Sequence, residues 1–514
     1  MTSNIQLDTL EAKGLIRLAT LRPELEYLFR HALVQDAAYG SLLKQERRDL
    51  HGRVGEALEQ LYPDRRGELA PVLGMHFEQA GRTEKAIGYY AEGAQHALQQ
   101  NAIQEAYSAF DHARALIEQE VPDPSLPSEE LNRRRRRRIE IELGRAQAGY
   151  SFRAPEDAFE ALEGVLPDAE ALGDPELAAR TYLLIALGRL QNGEQPSEPP
   201  VARALARIRE IGEEIGDQSL IAAPLALIGL SQVFAGRVRD GVAALEEGLP
   251  LMDRMDSIGA AFSRGALAIG YATLGEFDKA DAAAAEARTI ADRGDLIAQL
   301  DALIAESYVR SLRGELDRAI PLAEECVGRA EETGASACMV VSSWILGDAF
   351  HRQGRFAEAT DVLKRGSDVS LVVDRKVWRP TLQAWLGSAA AAMGAVGPDE
   401  WDEALATARS IGNSLGEAGI LWKRGEATAA KGDIDVAVAD FEASAAILQD
   451  QGARPHLARV TRSWGEALQR AGRTDAAEPI LRRSLEVFEE LGLDTEAGLV
   501  RTLLSLGGTK LAFE

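Results

Sequence analysis

Residues that commonly carry chemistry are few and scattered in this chain. It holds seven histidines and two cysteines in 514 residues. No two histidines have the H-x-x-x-H spacing, and together with Cys326 and Cys338 they form no recognisable zinc pattern. The pattern G-x-S-x-G occurs once, at Gly412–Gly416, but it lies between two helical segments and does not follow a strand, so it does not predict the turn that presents a nucleophilic serine. These patterns predict no metal site and no nucleophilic enzyme.

A nucleotide-binding pattern is missing as well. The phosphate loop G-x-x-x-x-G-K-[ST] uses backbone N–H groups and a lysine to hold nucleotide phosphates, and the sequence contains no such loop. Carboxylates are abundant along the helical patterns, which is typical of a solvated surface rather than of a catalytic pair. The sequence therefore predicts that this chain is not an enzyme and has no catalytic residues and no cofactor.

Six consecutive arginines, Arg133–Arg138, allow two interpretations. One is a patch for an anionic partner such as nucleic acid or lipid headgroups. The other is a solvated helical turn whose buried side is supplied by Ile139, Ile141 and Leu143. Six residues wrap the whole circumference of a helix, so some of these arginines must meet protein, for example acidic groups of the next repeat. This argument favours the second interpretation.

The charge of the chain is strongly acidic and unevenly distributed. Residues 1–150 hold 20 basic and 23 acidic residues, and residues 151–514 hold 37 and 58, which gives net charges of −3 and −21. An acidic array makes nucleic acid an unlikely partner. No apolar run approaches the ~18–20 residues of a membrane span, and the first 30 residues lack a signal-peptide pattern. Because cysteines are scarce, a reducing compartment fits best, so we expect a cytoplasmic protein with no membrane contact.

A short turn recurs along the chain at a nearly fixed distance. Gly275 stands five residues before Ala280, in a polar stretch between two apolar-periodic segments. The same spacing of two small residues occurs at Gly81–Ala86, Gly236–Gly241, Gly314–Ala319, Gly354–Ala359, Gly432–Ala437 and Gly472–Ala477. From Gly236 to Gly472, with Gly394 included, successive turns are 38 to 40 residues apart. A fixed period in this range predicts stacked repeats.

Each repeat is predicted to be a helix–turn–helix unit. Glycine ends the first helix because it adopts a left-handed conformation without strain at Cβ. A second glycine recurs seven residues before the turn, at Gly74, Gly229, Gly347, Gly387, Gly425 and Gly465. A glycine inside a helix costs roughly 1 kcal/mol relative to alanine, so its recurrence at one phase predicts close helix packing there.

These positions resemble the tetratricopeptide repeat, which has Gly or Ala at position 8, Tyr at 11, Gly near 15, Ala at 20 and an aromatic residue at 24. Phe77, Tyr271 and Phe350 stand at position 11, and Tyr90 and Phe441 at position 24. The resemblance implies an all-α fold, a tetratricopeptide-like helical-repeat superhelix (an α-solenoid). Because the period exceeds the usual 34 residues, longer helices are expected.

The resemblance also implies a concave groove lined by the first helix of each repeat. Carried over residue by residue, its lining positions are Tyr308, Trp344, Asp348, His351, Arg352, Trp422, Glu426, Arg459, Arg462 and Glu466. Aromatic side chains beside charges are typical of recognition surfaces, so these residues are candidates for binding a protein segment or a small effector. Trp344 and Trp422 share one phase, and the alternative is that both fill gaps between adjacent helices.

The N-terminal residues predict a different module. Leu7–Ile16 reads as a short amphipathic helix, and Arg17–Phe29 as a β-hairpin that turns at Arg22-Pro23, an arrangement typical of the end of a winged helix. Leu7–Leu116 resembles the junction after the ATPase in bacterial multidomain signalling proteins. In that family a class III adenylate or guanylate cyclase, or a DNA-binding regulator, is joined to a STAND-type (AAA-like) ATPase, a winged helix and a tetratricopeptide array.

We divide the chain into four parts. They are a winged-helix remnant with connecting helices (1–60), a first helical-repeat block (61–120), irregular helical pairs with linkers (121–200) and the tetratricopeptide-like array (201–514). The predicted function is a non-catalytic module for protein–protein interaction or effector sensing in a bacterial signalling protein, partnered by ATPase or cyclase domains upstream. The alternatives are the C-terminal part of an adenylate or guanylate cyclase or ATPase, and a fragment of a transcriptional regulator.

Overall fold

The computed structural model of the chain describes residues 2–20, 26–119, 126–251, 257–292, 296–373, 376–395 and 401–509. Across these residues the chain is a succession of α-helices with a single two-stranded sheet. The prediction of an all-α helical-repeat fold is therefore confirmed.

The helices follow one another along the chain, and both strands lie near its N-terminus. The N-terminal elements are α1 (Thr2–Ala12), β1 (Ile16–Thr20), β2 (Glu26–Phe29), α2 (Ala32–Gly40), α3 (Lys44–Leu61), α4 (Arg66–Gln79), α5 (Thr83–Gln99) and α6 (Ile103–Glu118), with a 3-10 turn at Pro63–Arg65. The next are α7 (Ser128–Gly149), α8 (Pro155–Ala171), α9 (Pro175–Gln191), α10 (Pro199–Ile215), α11 (Gln218–Ala235) and α12 (Val238–Gly248), with a 3-10 turn at Leu249–Leu251. The remaining helices are α13 (Ser257–Leu274), α14 (Phe277–Ala291), α15 (Leu296–Leu312), α16 (Leu316–Thr333), α17 (Ser336–Arg352), α18 (Phe356–Val372), α19 (Arg379–Ala392), α20 (Trp401–Ser410), α21 (Ser414–Ala430), α22 (Ile434–Gln451), α23 (Arg454–Arg470), α24 (Thr474–Glu490) and α25 (Asp494–Thr509).

The chain forms two compact units. The first comprises residues 1–96 and 108–122, and the second comprises residues 97–107 and 123–514. In the first unit β1 and β2 pair antiparallel, with Ile16 opposite Phe29 and Leu18 opposite Tyr27. The two strands of the predicted hairpin are thereby confirmed, while its turn at Arg22-Pro23 lies outside the described residues. The winged-helix assignment of this region stays a prediction.

In the second unit, helices from α11 onward alternate between two roles. The first helix of each pair packs against its own partner and also against the first helix of the next pair, as in α13, α15 and α17. The turn between the two helices is built as the sequence predicts, with Gly275 in the left-handed region at φ 85°. The small residue that follows, Ala280, is fully buried between helices.

The glycines inside the first helices mark close contacts, as predicted. At Gly465 a Cβ atom would lie 2.5 Å from Cγ of Leu481, and at Gly425 it would lie 3.0 Å from the ring of Phe441. Both neighbours belong to the second helix of the same pair. A larger residue at either glycine would push the two helices apart, which explains why the sequence accepts a poor helix former there.

Within the second unit, helices far apart in sequence also touch. The side chain of Gln195 donates to the carbonyl of Ile411 at 2.7 Å, and Arg239 donates to the carbonyl of Asp450 at 3.2 Å. Helix α11 contacts α21, and α13 contacts α23. The first helices of successive repeats therefore line a shared interior that later repeats close.

Helix α11 corrects one expectation from the sequence. Its 18 residues, Gln218–Ala235, are long and apolar enough to cross a membrane, so the expectation that no apolar run approaches that length is wrong. Small and polar residues separate the apolar residues of this helix, so its apolar length is not evident from the sequence. In the structure, Ala226, Leu230 and Val233 of this helix are buried in the main hydrophobic core of the array. Its apolar character serves helix packing on several sides at once.

Candidate ligand-binding cavity

A cavity of the second unit lies between the first helices of its repeats. It has a volume of about 140 Å³, and its walls are mainly apolar, with Leu187, Leu230, Ile269, Ile304 and Val341 among them. A cavity that holds one water needs about 10–15 Å³, so this space takes roughly ten water-sized groups. Polar side chains of Tyr150, Gln191, Gln195 and Asn413 also line it.

Two smaller cavities continue this space along the interior. The second has a volume of about 60 Å³ and shares Phe234, Ile269 and Trp378 with the first. The third has a volume of about 20 Å³ and shares Trp344 and Trp422 with the second. Because each cavity shares walls with the next, they form one row, which we call the inner cavity. It begins among aliphatic side chains and ends among charged ones.

Aromatic side chains form a continuous series along the inner cavity. The ring centres of Phe234 and Trp378 are 5.8 Å apart, those of Trp378 and Trp344 are 5.6 Å apart, and those of Trp344 and Trp385 are 5.9 Å apart. Trp422 extends the series, with its centre 6.1 Å from that of Trp385. Rings at these separations interact favourably and form a rigid wall that suits a flat or apolar guest.

The far end of the inner cavity is a buried ionic cluster. Nη2 of Arg352 and Nη2 of Arg459 each donate to the same oxygen of Glu496, both at 2.7 Å. The three side chains are 9, 2 and 4% exposed, respectively. Arg459 also donates to the carbonyl of Leu312 at 2.7 Å, and Asp348 accepts from Nε1 of Trp385 at 2.7 Å.

A second set of polar groups adjoins this cluster. Nζ of Lys423 lies 3.0 Å from Glu426 and 4.1 Å from the ring centre of Trp422. The other carboxylate oxygen of Glu426 accepts from Ser463 at 2.8 Å, and Ser463 accepts from Nε1 of Trp422 at 3.1 Å. Since Lys423 is 1% exposed, its charge is compensated inside the protein by Glu426 and by the aromatic ring.

Burial and neighbouring charges change the protonation of the cluster. Burial lowers the pKa of His351 to about 4 and that of His456 to about 3, helped by Lys423 and Arg459, respectively. Both imidazoles are therefore neutral near pH 7. Burial raises the pKa of the Glu426 carboxyl, but Lys423 and His351 outweigh it, and the net result is a pKa lowered to about 2. Burial and Arg459 lower the pKa of Arg352 to about 10, so it stays charged.

Several buried hydrogen-bond donors at this end have no partner among the residues that the structure describes. They are Nε and Nη1 of Arg459 and Nε1 of Trp344, and Nδ1 of His456 is also without a partner. All three residues line the third cavity. A buried donor without an acceptor is costly, so these groups indicate a place for an acceptor that the described residues do not supply.

The structure brings most of the sequence-predicted site residues together. Tyr308, Trp344, Asp348, Trp422 and Arg459 line the third cavity. His351, Arg352, Glu426 and Arg462 lie around it, since their charges act on one another or on His456. Glu466 lies at the outer edge, where it accepts from Arg470 at 2.6 Å. The two interpretations of Trp344 and Trp422 do not exclude each other, because both rings pack against neighbours and also line the cavity. A binding role for these residues stays a prediction.

Sequence reasoning missed several residues of the inner cavity. Trp378 precedes helix α19, Trp385 stands one position after the expected phase, and Glu496 lies in α25, beyond the last repeat turn. Lys423 also escaped, because it does not occupy a groove position of the repeat pattern. Phe234 was missed although it stands at the same phase as Arg352, two residues before its turn glycine. The sequence positions next to the groove positions on the same helices could have been included, because three adjacent positions of an inner helix can all face a closed interior.

The arginine run lies elsewhere, on α7, and faces acidic groups of the next helices. Arg135 and Arg138 both pair with Asp168 of α8, at 3.3 and 3.2 Å. Arg136 donates to Asp174 at 2.6 Å, just before α9. These contacts support the interpretation as a solvated helical turn held against the following repeat.

Across the described ranges, no group of three His, Cys, Asp or Glu side chains could hold a metal ion.

Comparison with known proteins supports the repeat assignment. The tetratricopeptide-repeat family model matches residues 416–490. A stretch of 116 residues is 30% identical to an uncharacterized protein of Rhizobium meliloti (strain 1021), and it covers 22% of this chain and 11% of that protein. The chain thus spans about a tenth of the length of this curated relative.

Solved structures of helical-repeat proteins are also similar to this chain. One is a Rap protein complexed with competence and sporulation factor, with 15% identity, a TM-score of 0.47 and coverage of 75% of this chain and 99% of that one. Another is the signal transduction ATPase with numerous domains (STAND) and a tetratricopeptide repeat sensor from Pyrococcus horikoshii. It has 15% identity, a TM-score of 0.35 and coverage of 96% of this chain and 60% of that one.

Proposed function

We propose that the helical array is a non-catalytic sensing and interaction module that binds an effector in its inner cavity. The observation that carries this proposal is the row of three cavities, which leads from an apolar space of about 140 Å³ to buried donors without partners among the described residues. Specific small-ligand sites have the same composition, with mostly apolar walls and a few convergent polar groups.

The position of the cavity offers a way to report its occupancy. Its walls come from helices that lie far apart in sequence and meet through contacts such as Arg459 with the carbonyl of Leu312. A ligand that touches both sides stabilises the closed arrangement relative to a more open one. Such a bias requires different affinities for the two states, which a ligand enclosed by both sides provides. In a bacterial signalling protein this change would be passed to neighbouring catalytic domains or to a protein partner.

The proposal is tested by filling the cavity. Ser231 lines the widest part, so Ser231→Phe places a ring in the space that the effector would occupy. Ser410→Phe is the matched control, because each serine donates to the carbonyl three residues earlier, at 3.1 and 2.8 Å, while Ser410 is exposed and lines none of the three cavities.

Intrinsic tryptophan fluorescence gives the readout, since Trp344, Trp378, Trp385 and Trp422 line the cavity. A library of small acids, amines, alcohols and short peptides is titrated into each purified full-length variant. We expect saturable changes in wild type and in Ser410→Phe that are lost in Ser231→Phe. If no compound separates Ser231→Phe from its control, the inner cavity is not a binding site.

A second candidate, the C-terminal part of a larger signalling ATPase or cyclase, is favoured by the surface of the first unit. Helix α2 has no buried residue, and Leu33 is 81% exposed, Leu43 70% and Leu61 68%. Exposed leucines in this number suit contact with another domain. Hydrogen exchange of α2 would be compared between this chain and a polypeptide extended upstream in the gene. Slower exchange of α2 in the longer polypeptide is expected, and unchanged exchange argues against this candidate.

A further inference from the structure

The chemistry of the inner cavity narrows the class of ligand, and this step rests on the function proposed above. We infer that the inner cavity binds a carboxylate attached to an apolar or aromatic body, with the carboxylate on Arg459 and the body along the tryptophans. The ligand is either a small organic acid or the free C-terminal end of an apolar peptide, since both present the same group.

Arg459 is the residue that would bind the polar head group of the ligand. It lies 2% exposed at the narrow end of the cavity, and only its Nη2 is used, by Glu496 and by the carbonyl of Leu312. Its Nε and Nη1 donate to nothing within the described parts of the chain. Nη1 lies on the side of Cδ and Nε–H points to the side of Nη2, so the two groups are separate charged donors, and each can donate to a carboxylate oxygen more strongly than a neutral donor would.

Neighbouring groups add donors rather than acceptors. Nε1 of Trp344 is a further buried donor for which the described residues provide no acceptor, and it lines the same cavity as Arg459. Asp348, the carboxylate that lines this cavity, accepts from Trp385 at 2.7 Å and lies 3.8 Å from Arg352. Oε2 of Glu496 has no partner among the described residues, but Glu496 does not line the third cavity. A ligand acceptor is thus what the site lacks.

An aromatic wall beside a carboxylate could instead bind a cation, and the structure argues against that alternative. Nζ of Lys423 already lies 4.1 Å from the ring centre of Trp422 and 5.0 Å from that of Trp385. A second cation near these rings would be repelled by Lys423 and by Arg459. The cluster contains four cationic side chains (Arg352, Lys423, Arg459 and Arg462) and three anionic ones (Asp348, Glu426 and Glu496), and Glu466 pairs with Arg470 at its edge.

The size and the lining of the inner cavity determine which apolar group of a ligand it can hold. The middle cavity, about 60 Å³, is bounded by Trp344, Trp378, Trp385 and Trp422, and it leads into the aliphatic space of about 140 Å³. A phenyl ring on a short alkyl chain fits this row, with its head group reaching the third cavity. We therefore use 4-phenylbutyrate as the probe, with 4-phenylbutan-1-ol and 4-phenylbutylamine as analogues of the same body.

The test compares these three compounds by tryptophan fluorescence on the full chain. We expect saturable binding of 4-phenylbutyrate. The affinities for the alcohol and for the amine should be at least tenfold lower. Arg459→Lys keeps a positive charge beside Glu496 but loses the separate Nε–H and Nη1–H donors, and it should weaken binding of 4-phenylbutyrate at least tenfold while leaving binding of the alcohol unchanged. Arg310→Lys is the matched control, since Nε of Arg310 is also without a partner in the described ranges but lines none of the three cavities.

A second variant keeps the test decisive if Arg459→Lys unfolds. Trp344→Phe preserves an aromatic wall and removes one donor, so it should weaken the acid more than the alcohol. An apolar tripeptide with a free or an amidated C-terminus then separates the two sources. If only the free peptide binds, the ligand is a peptide end, and if neither peptide binds while the acid does, the ligand is a small acid.

The outcomes against the inference are distinct from failure of the proposed function. Equal or tighter binding of the amine or the alcohol, or of the amidated peptide, would show that the cavity binds ligands but does not select a carboxylate. The absence of binding by all three compounds, with no difference between Ser231→Phe and Ser410→Phe, would overturn both the ligand class and the cavity function.

Discussion

Asp168 and Glu496 each bridge two arginines, and they do so in opposite surroundings. Asp168 lies between Arg135 and Arg138 on the surface, where the arginine side chains are 40 and 48% exposed. Glu496 lies between Arg352 and Arg459, which are 9 and 2% exposed. The first two arginines are three positions apart in the sequence, whereas the second two are 107 positions apart.

The contrast shows that clustering in sequence and clustering in function are different properties. The arginine run of α7 draws attention because six like charges are consecutive, yet its ion-pair partners are carboxylates of α7 itself and of the segment that follows. The buried arginines are isolated in sequence and converge only because the inner helices of successive repeats face one interior. Exposed charges cost little to place, whereas buried ones persist only with partners, so the second group carries more information about a site.

The largest expected effect comes from removing the buried carboxylate charge. Glu496→Gln leaves two buried guanidinium groups without their shared anion, and we expect it to destabilise the second unit by about 3–5 kcal/mol. Asp168→Asn makes the same change on the surface and should cost less than about 1 kcal/mol. The measurement is the urea midpoint of the far-ultraviolet circular dichroism signal for each variant and for wild type.

An added salt series strengthens this comparison. The small effect of Asp168→Asn should shrink further at high salt, while that of Glu496→Gln should persist because buried charges are screened less. Equal shifts of the midpoint in the two variants would contradict the view that the two bridges differ in kind.

A smaller effect is expected from pH. The pKa values of His351 and His456 are lowered from 6.5 to about 4 and about 3, so the unfolded chain binds protons more readily below pH 6.5. The contribution of the two neutral histidines to the free energy of unfolding is therefore fully present above pH 6.5. It is lost as the pH falls, on the order of 1–2 kcal/mol per histidine between pH 6.5 and pH 5.

Thermal midpoints between pH 7.5 and pH 5 measure this loss. The double variant His351→Gln, His456→Gln should have a flatter pH profile than wild type, whereas His31→Gln, which changes an exposed histidine of the first unit, should keep the wild-type slope. A double variant with the wild-type slope would mean that other groups control the acid sensitivity.

The repeat fold could be predicted from the sequence because its determinants are local and periodic. The turn at Gly275, the buried Ala280 and the close contact at Gly465 each follow from backbone conformation or residue size at one phase. The pairing of β1 with β2 was predictable for the same reason. Helix α11 was the exception, since its apolar residues are spread among small and polar ones and its length became clear only in the structure.

The candidate site was predictable only where it follows the repeat phase. Trp344, Trp422 and Arg459 occupy groove positions of the pattern, and the structure places all three on the third cavity. Glu496 and Trp378 could not be found in this way, because their place depends on how far the superhelix curves before it meets itself. That curvature is a sum of small rotations between repeats, which no single position records.

The contacts between distant helices have a consequence for how the array unfolds. An open solenoid is stabilised by neighbouring repeats alone, so it can fray from its ends one unit at a time. In this array α25 supplies Glu496 to Arg352 of α17 and to Arg459 of α23, and Arg459 in turn reaches the carbonyl of Leu312 at the end of α15. Loss of the last helix would therefore loosen the middle of the array as well, so these repeats should melt cooperatively rather than from the terminus inward.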